Sequence, residues 1–324
     1  MSTPPPPPAR GARLEWSAIP ASIRANIEAR LGSPVVAAHT QPGGFSPGVA
    51  ARLRTADGQR VFVKAVGPQP NPDSPAIHRQ EARITAMLPP TAPVPRLRWS
   101  IDDAETGWVV LALDEIDGRH PHEPWQADDL DRVVRGMIDL SEQLTPSPLP
   151  IGAVDPIGLT IGTRIAGWRL LLEGDPAQRD VLDAWSRRHL EAAADLESRA
   201  SAATTGDTLL NFDIRADNIL ISNERVWFLD WPWGQVGAAW IDILAFAPSV
   251  TMQGGPPPED VAIRHPAFRQ ADPDRVNAVL AAVSGMFTER SLRPPPPGLP
   301  TLREFQAALG VVSRAWLAYR TGWQ

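Results

Sequence analysis

Residues 209–233 read Leu-Leu-Asn-Phe-Asp-Ile-Arg-Ala-Asp-Asn-Ile-Leu-Ile-Ser-Asn-Glu-Arg-Val-Trp-Phe-Leu-Asp-Trp-Pro-Trp, and this stretch decides how the chain is read. Its two apolar runs have the pattern of short buried strands, the second over Val226–Leu229, joined as a hairpin. Asp213, Asn218 and Asp230 punctuate them. Buried strands rarely carry carboxylates at their ends unless those groups hold a metal or move a proton. Turn chemistry accounts for Asp and Asn in loops. It does not account for a second acid directly after a strand, or for an amide five positions beyond the first acid.

A chain of 324 residues, 43% hydrophobic, can bury a large core and divides most simply into two lobes. Net charge is −6 and no long basic run occurs, which argues against nucleic acid as a partner. Cysteine is absent, so disulfides, thiolate catalysis and cysteine-ligated zinc are excluded. No apolar stretch reaches the ~18–20 residues that span a bilayer. The opening MSTPPPPPARGAR lacks the apolar core of a signal peptide, so a cytoplasmic protein is expected. Residues 1–13 are assigned to a disordered, proline-rich tail, and the proline run 294–297 to a stiff connector.

Outward from the central stretch, the first third is strand-rich. A helix is expected over Ser17–Leu31, where Ile19, Ile23, Ile27 and Leu31 recur at every fourth position. Strands are expected at 35–40, 49–54, 60–66, 97–101 and 108–113, making a five-stranded antiparallel sheet, with a helix over 74–88 between the third and fourth. The hairpin signal Ala56-Asp57-Gly58 joins the second and third strands. From residue 127 the pattern turns helical: 128–144, 161–172, 178–200, 274–290 and 301–320. The expected class is therefore α+β and bilobal. An N-lobe over 14–116 and a C-lobe over 117–324 that carries the central stretch are expected, with the boundary near 114–125.

Phosphoryl transfer asks little covalent chemistry of a protein and much positioning and charge neutralisation. Asp213 has the place of a base orienting an acceptor hydroxyl. The Asn218 amide and the Asp230 carboxylate are hard oxygen ligands suited to magnesium. Arg215 is placed to neutralise the transferring group. Upstream, strand, Gly43-Gly44-Phe45-Ser46-Pro47-Gly48, strand makes a turn whose backbone N–H groups can approach phosphates; an ordinary hairpin loop is the alternative. The same turn matches G-x-S-x-G, but a nucleophile elbow must lead into a helix and needs the N–H after its serine. A strand follows here, and Pro47 has no N–H. Lys64 shares a strand face with Phe62 and Val66, and a buried ammonium needs an anion, which Glu81 on the next helix can supply. An edge-strand lysine reaching solvent is the competing reading. The connector Asp114-Glu115-Ile116-Asp117-Gly118 would present backbone groups to an adenine. Asp242 is assigned a structural role beneath the central loop. His120 and His122 are assigned to a surface loop, and Trp227, Trp231, Trp233 and Trp240 more to core than to substrate stacking.

These residues together resemble the aminoglycoside phosphotransferase-like branch of the protein-kinase-like fold, over roughly residues 35–320. Gly43–Gly48, Val61–Ala65, Glu81, Asn211–Leu220 and Leu229–Leu244 carry the resemblance. It implies a bilobal kinase-like fold, ATP and Mg2+ as cosubstrates, and a small-molecule acceptor with no role for nucleic acid or membrane. It places Asp213 and Arg215 in catalysis and Asn218 and Asp230 on metal. Gly44, Phe45, Ser46, Gly48, Lys64, Glu81, Asp114 and Ile116 fall on the nucleotide. The chain departs from the family pattern H-G-D-x-x-x-x-N at Asn211 and Phe212, and from G-D-P-x-x-D around Gly237. Two further readings follow: a nucleotide-binding protein without turnover, or a kinase acting on Ser or Thr of a peptide.

Overall fold

The computed structural model describes residues 7–324. Helix α1 (Ala21–Leu31) starts after Pro20, with a short 3-10 turn before it, and stops at Gly32, which takes φ 73° and returns its N–H to Glu28 and Ala29. Proline suits a helix entry and a left-handed glycine an exit. Strands β1 (Val35–Thr40), β2 (Val49–Thr55) and β3 (Arg60–Val66) follow, then α2 (Ser74–Met87), β4 (Leu97–Asp102) and β5 (Val109–Leu113). The five strands form one antiparallel sheet in the order β1-β2-β3-β5-β4.

Strand alternation divides the sheet's two faces. Val61, Val63 and Ala65 join Ala51, Leu53, Val110 and Ala112 against Ile23, Ile27 and Leu31 of α1 and Ile19 just before it. The opposite face, with Val109 and Leu111, packs on Ala82 of α2. Lys64 belongs to that second face by parity. It lies opposite Leu111 on β5 and Ala50 on β2, so β3 is interior and the edge-strand reading of Lys64 fails.

A connector leads from β5 to the C-lobe, which holds α3 (Ala127–Gln143), α4 (Ile157–Arg164), α5 (Gly167–Glu173), α6 (Pro176–Asp180), α7 (Ala184–Ser198) and α8 (Ala200–Ala203). Short strands β6 (Thr208–Leu210), β7 (Ile219–Ile221), β8 (Val226–Phe228) and β9 (Gln235–Gly237) make two ribbons, β6 with β9 and β7 with β8. Helices α9 (Ile241–Met252), α10 (Pro258–Ala262), α11 (Pro266–Gln270), α12 (Pro273–Ser291) and α13 (Leu302–Thr321) complete the lobe. One core runs through it, from Val133 and Met137 on α3 to Phe246 on α9 and the buried run Ala278–Val283 on α12.

Three expectations are corrected. The single helix over 161–172 is two, α4 and α5. Glu197 of α7 caps the second by accepting the N–H groups of Trp168 at 3.2 Å and Arg169 at 2.9 Å, supplying partners that a new helix start requires. The span 178–200 likewise breaks where Asp183 accepts the N–H of Ser186 at 2.8 Å and starts α7. Helices α9 to α11 were not anticipated. Eight of the twelve residues of α9 are buried and none is exposed, so it has no solvent face to give a period, and it carries Pro248 inside it. Finally, residues 7–13, assigned to the tail, are not free: they run beside the glycine turn, hydrogen-bonded to Gly44 and Gly48. Residues 1–6 lie outside the described residues. Among the described residues, no helix is long and apolar enough to cross a membrane.

Candidate active site

Asn211, Phe212 and Asp213 make a tight loop after β6. Phe212 sits at φ 60°, a conformation side chains other than glycine seldom adopt, so the loop must be held. Asp242, at the start of α9, holds it from beneath: its carboxylate accepts the N–H of Asn211 at 3.0 Å and of Phe212 at 2.8 Å. The Asn211 side chain, fully buried, accepts the Asp213 N–H at 2.9 Å and donates to the Asp230 carbonyl at 2.9 Å and the Leu229 carbonyl at 3.3 Å. Asn211 thereby ties the loop carrying Asp213 to the strand end carrying Asp230. Asp230 is itself at φ 57°. Two unfavourable backbone residues this close mark a site whose geometry is imposed by its surroundings.

Above this floor the side chains converge. Arg215 donates to Asp213 at 2.5 Å and, by two bonds of 3.0 Å, to Asp217. Asn218 donates its amide N–H to the Asp213 carbonyl at 2.9 Å and carboxylate at 3.1 Å. Lys64 reaches Glu81 at 2.6 Å and, on its other side, Asp230. The β7–β8 ribbon, pairing Ile219 with Phe228, sets Asn218 and Asp230 at neighbouring ends.

Burial pushes the Asp213 carboxyl up to about 6; Arg215 opposes this and the nearby Asp217 reinforces it. Burial works to lower Arg215, but Asp213 and Asp217 outweigh it and hold the guanidinium charged. Burial raises Asp217, but the Arg215 charge, its hydrogen bonds and a backbone N–H together outweigh it and hold the carboxyl below its usual range. Asp242 is pushed up to about 6 by burial, relieved only in part by its two backbone N–H partners.

A cavity of about 880 Å³ opens beside Asp213 and Arg215. Phe45 of the glycine turn, Gln80 of α2, Trp233 and Phe287, Phe305 and Leu309 of the last two helices line it. Phe45 meets Phe305 edge-on with ring centroids 5.1 Å apart, and the Arg215 guanidinium lies 5.5 Å and 5.8 Å from the two rings. Lys64, Glu81, Asn218 and Asp230 border the site from the other side of Asp213 and do not line this cavity. Asp114 and Ile116 do not line it either; Asp114 accepts from Arg98 at 2.7 Å, and its N–H goes to the Arg96 carbonyl at 2.9 Å.

Of the other residues singled out, Gly48 has φ 120° and a Cβ there would come within 2.6 Å of the Ala65 carbonyl oxygen, so this glycine is required by close packing. The Ser46 carbonyl accepts from Arg13 at 2.7 Å. His122 and Arg119 both bond Asp129, and His120 bonds the Ile219 carbonyl, which are structural contacts. Trp231 and Trp240 are core, whereas Trp233 is 45% exposed and faces the cavity. Sequence reasoning missed Arg13, Asp217 and Phe305. Asp217 was detectable, two positions after Arg215 within the central stretch; the others are remote in sequence and carry no local signal.

The donor set suits magnesium. Asn218 uses its amide nitrogen on Asp213, which leaves its carbonyl oxygen, and Lys64 engages one Asp230 oxygen, which leaves the second. Among the described residues no cluster of three or more His, Cys, Asp or Glu could hold a metal. Magnesium is commonly bound by one or two protein oxygens with phosphates and water completing the shell.

This arrangement of lobes is that of the protein-kinase-like fold found in small-molecule phosphotransferases. The chain superposes on an aminoglycoside phosphotransferase mutant solved with ADP and hygromycin B, at a TM-score of 0.58 and 11% identity, covering 91% of this chain and 99% of that one. A choline/ethanolamine kinase family protein from Mesorhizobium loti gives 0.57 at 17% identity over 93% and 94% of the two chains. A macrolide 2'-phosphotransferase gives 0.54 at 16% identity over 94% and 98%. No family model matches the sequence, and no curated protein matches it.

Proposed function

We propose that the chain is an ATP-dependent phosphotransferase that moves the γ-phosphoryl group to a hydroxyl of a small molecule. The observation that carries this reading is the constellation of Lys64–Glu81, Asp230, Asn218 and the Asp213–Arg215 pair, of which Asp213 and Arg215 line a ligand-sized cavity. Lys64, fixed by Glu81, would bind the nucleotide phosphates. The glycine turn, through Gly44, Phe45, Ser46 and Gly48, would cover them. The connector would offer backbone groups of Asp114 and Ile116 to the adenine. Asn218 and Asp230 would hold Mg2+, whose charge offsets that of the phosphates when it is bound.

In the reaction the acceptor oxygen bonds to the γ-phosphorus as the bond to the ADP oxygen breaks, and the hydroxyl proton passes to Asp213. Asp213, raised to about 6, is ionised at neutral pH and more basic than an ordinary aspartate. Arg215 is anchored by two bonds to Asp217, so one of its Nη groups can turn to the transferring phosphoryl oxygens without losing that anchor.

The test is calorimetry with Mg·ATP on the full chain, followed by a screen for labelled phosphate transfer over hydroxyl-bearing small molecules. The expected result is nucleotide binding, transfer to at least one acceptor, and loss of transfer but not of binding in Asp213→Ala. Absence of nucleotide binding overturns the reading. Binding without transfer to any acceptor favours the nucleotide-binding alternative.

A further inference from the structure

Residues 8–14 form a strap along the glycine turn. The N–H groups of Gly44 and Gly48 donate to the carbonyls of Ala9 at 3.0 Å and Ala12 at 3.2 Å, and Gly11 and Leu14 return bonds to Gly44 and Gly48 at 2.8 and 2.9 Å. The strap's other edge is tied to the C-lobe. Ala12 donates to the Gly298 carbonyl at 2.8 Å, and the Thr301 hydroxyl bonds the carbonyls of Pro8 at 3.0 Å and Arg10 at 3.1 Å. The segment therefore bridges the N-lobe turn to the chain just before α13.

Arg13 is the centre of this bridge. Its guanidinium donates to Ser46 O at 2.7 Å and through Nε to Gly43 O at 3.1 Å, with a further contact from Nη2 to Gly43 O. Burial lowers it to about 10, opposed by the charge of Asp217, so it remains cationic at neutral pH. The fit is close: a Cβ on Gly44 would lie 2.7 Å from the Arg13 Nη2, and one on Gly11 would lie 2.9 Å from Ser46 O. At the tip of the clamped turn stands Phe45, in contact with Arg215 and Phe305.

We propose that Arg13 is a positioning residue for phosphoryl transfer, acting through the glycine turn it clamps. This rests on the phosphotransferase reading above. The strap occupies the amides of Gly44 and Gly48, and Pro47 has none. Gly43, Phe45 and Ser46 then supply the turn's remaining N–H groups, with Phe45 beside Arg215. Arg13 binds Gly43 O and Ser46 O, the carbonyls of the two peptide groups that flank those carrying the Phe45 and Ser46 N–H groups, and so pins both ends of this segment. Arg215, which contacts Asp213, lies against Phe45, so amides at this end of the turn would meet the terminal phosphoryl group rather than the inner phosphates. The clamp thus distinguishes a nucleoside triphosphate from a diphosphate.

The experiment compares full-length wild type, Arg13→Met and Arg13→Lys by calorimetry with Mg·AMP-PNP and Mg·ADP, together with amide hydrogen exchange at Gly44 and Gly48. Arg13→Met is expected to weaken Mg·AMP-PNP by about tenfold or more and Mg·ADP by less than about threefold, and to speed exchange at both glycines, with Arg13→Lys between. Thr301→Val, which removes the Thr301 hydroxyl's ties to the strap without touching the turn and leaves the Ala12–Gly298 bond, is expected to give the same preference in smaller degree, and it serves if Arg13→Met does not fold. Equal losses for the two nucleotides, unchanged affinity, or tighter binding overturn the role of Arg13 while leaving the phosphotransferase reading in place. A wild type that binds neither nucleotide overturns both.

Discussion

Asp213 and Asp242 stand on opposite sides of one loop, and both carboxyls are pushed up to about 6 by burial. Their surroundings otherwise differ. Asp213 has the Arg215 guanidinium beside it and an amide on its second oxygen, and it opens onto a cavity. Asp242 has two fixed backbone N–H partners. Under the proposed function a similar proton affinity serves two ends: Asp213 would take up a proton from the acceptor, and Asp242 holds a strained turn. Perturbed titration alone does not separate these two groups; access to a cavity and a side-chain counter-charge do.

The comparison is most sharply tested by activity. Asp213→Asn is expected to lower phosphoryl transfer by about 10³-fold, within the range for loss of a general base, with Mg·ADP affinity nearly unchanged. Steady-state kinetics on an acceptor from the screen measure this, and transfer within tenfold of wild type would remove Asp213 from the base's role. Asp242→Ala acts through the fold. It leaves two buried N–H groups unpaired, for a loss of roughly 2–4 kcal/mol by denaturant unfolding. Asp213→Ala should cost under about 1 kcal/mol in the same assay, because Arg215 keeps its bonds to Asp217 and no backbone N–H is orphaned. Equal costs would erase the distinction.

Acidity gives a smaller effect. Glu197 is raised from 4.5 to about 7 by burial, with its backbone N–H partners opposing, and Asp242 is raised from 3.8 to about 6. A carboxyl raised on folding is protonated in the native state while the unfolded chain has already lost its proton. Its contribution is therefore fully present below the unfolded pKa and is lost as pH rises through the folded one. Stability should fall from about pH 4 to pH 7, the window those shifts define. Glu197→Gln should flatten the upper part of that fall in urea unfolding curves, and an unaltered slope would contradict it. The smallest effect concerns Phe212. At φ 60° the Phe212→Gly variant should be more stable than Phe212→Ala by about 1 kcal/mol, since both lose the ring and only glycine is at ease there. The reverse order would mean that the loop relaxes.

Particular elements explain how much of this was legible in the sequence. The sheet was, because β2 and β3 alternate cleanly around a turn signal and α1 repeats isoleucine at every fourth position. Lys64, Glu81, Asp213, Asn218 and Asp230 stood out as polar residues in apolar surroundings, and the structure brings them together through short bonds. Helix breaks were not legible at residues 165 and 183. At the first, the cap comes from Glu197, far along the chain; at the second, the capping Asp183 lies inside a stretch that reads as helical throughout. The strap was misread for a related reason. A proline-rich opening looks like a tail, and its partners, Gly298 and Thr301, are at the other end of the sequence.

The contact of Phe45 with Phe305 and Arg215 has a consequence for how such chains diverge. Position 305 belongs by sequence to the closing helix, yet its ring is packed on a turn of the other lobe. Substitutions there should be tolerated according to what stands at position 45 rather than according to their helical neighbours. In an alignment deep enough to resolve pairs, 45 and 305 are expected to vary together, large with small, wherever an arginine is kept at 215.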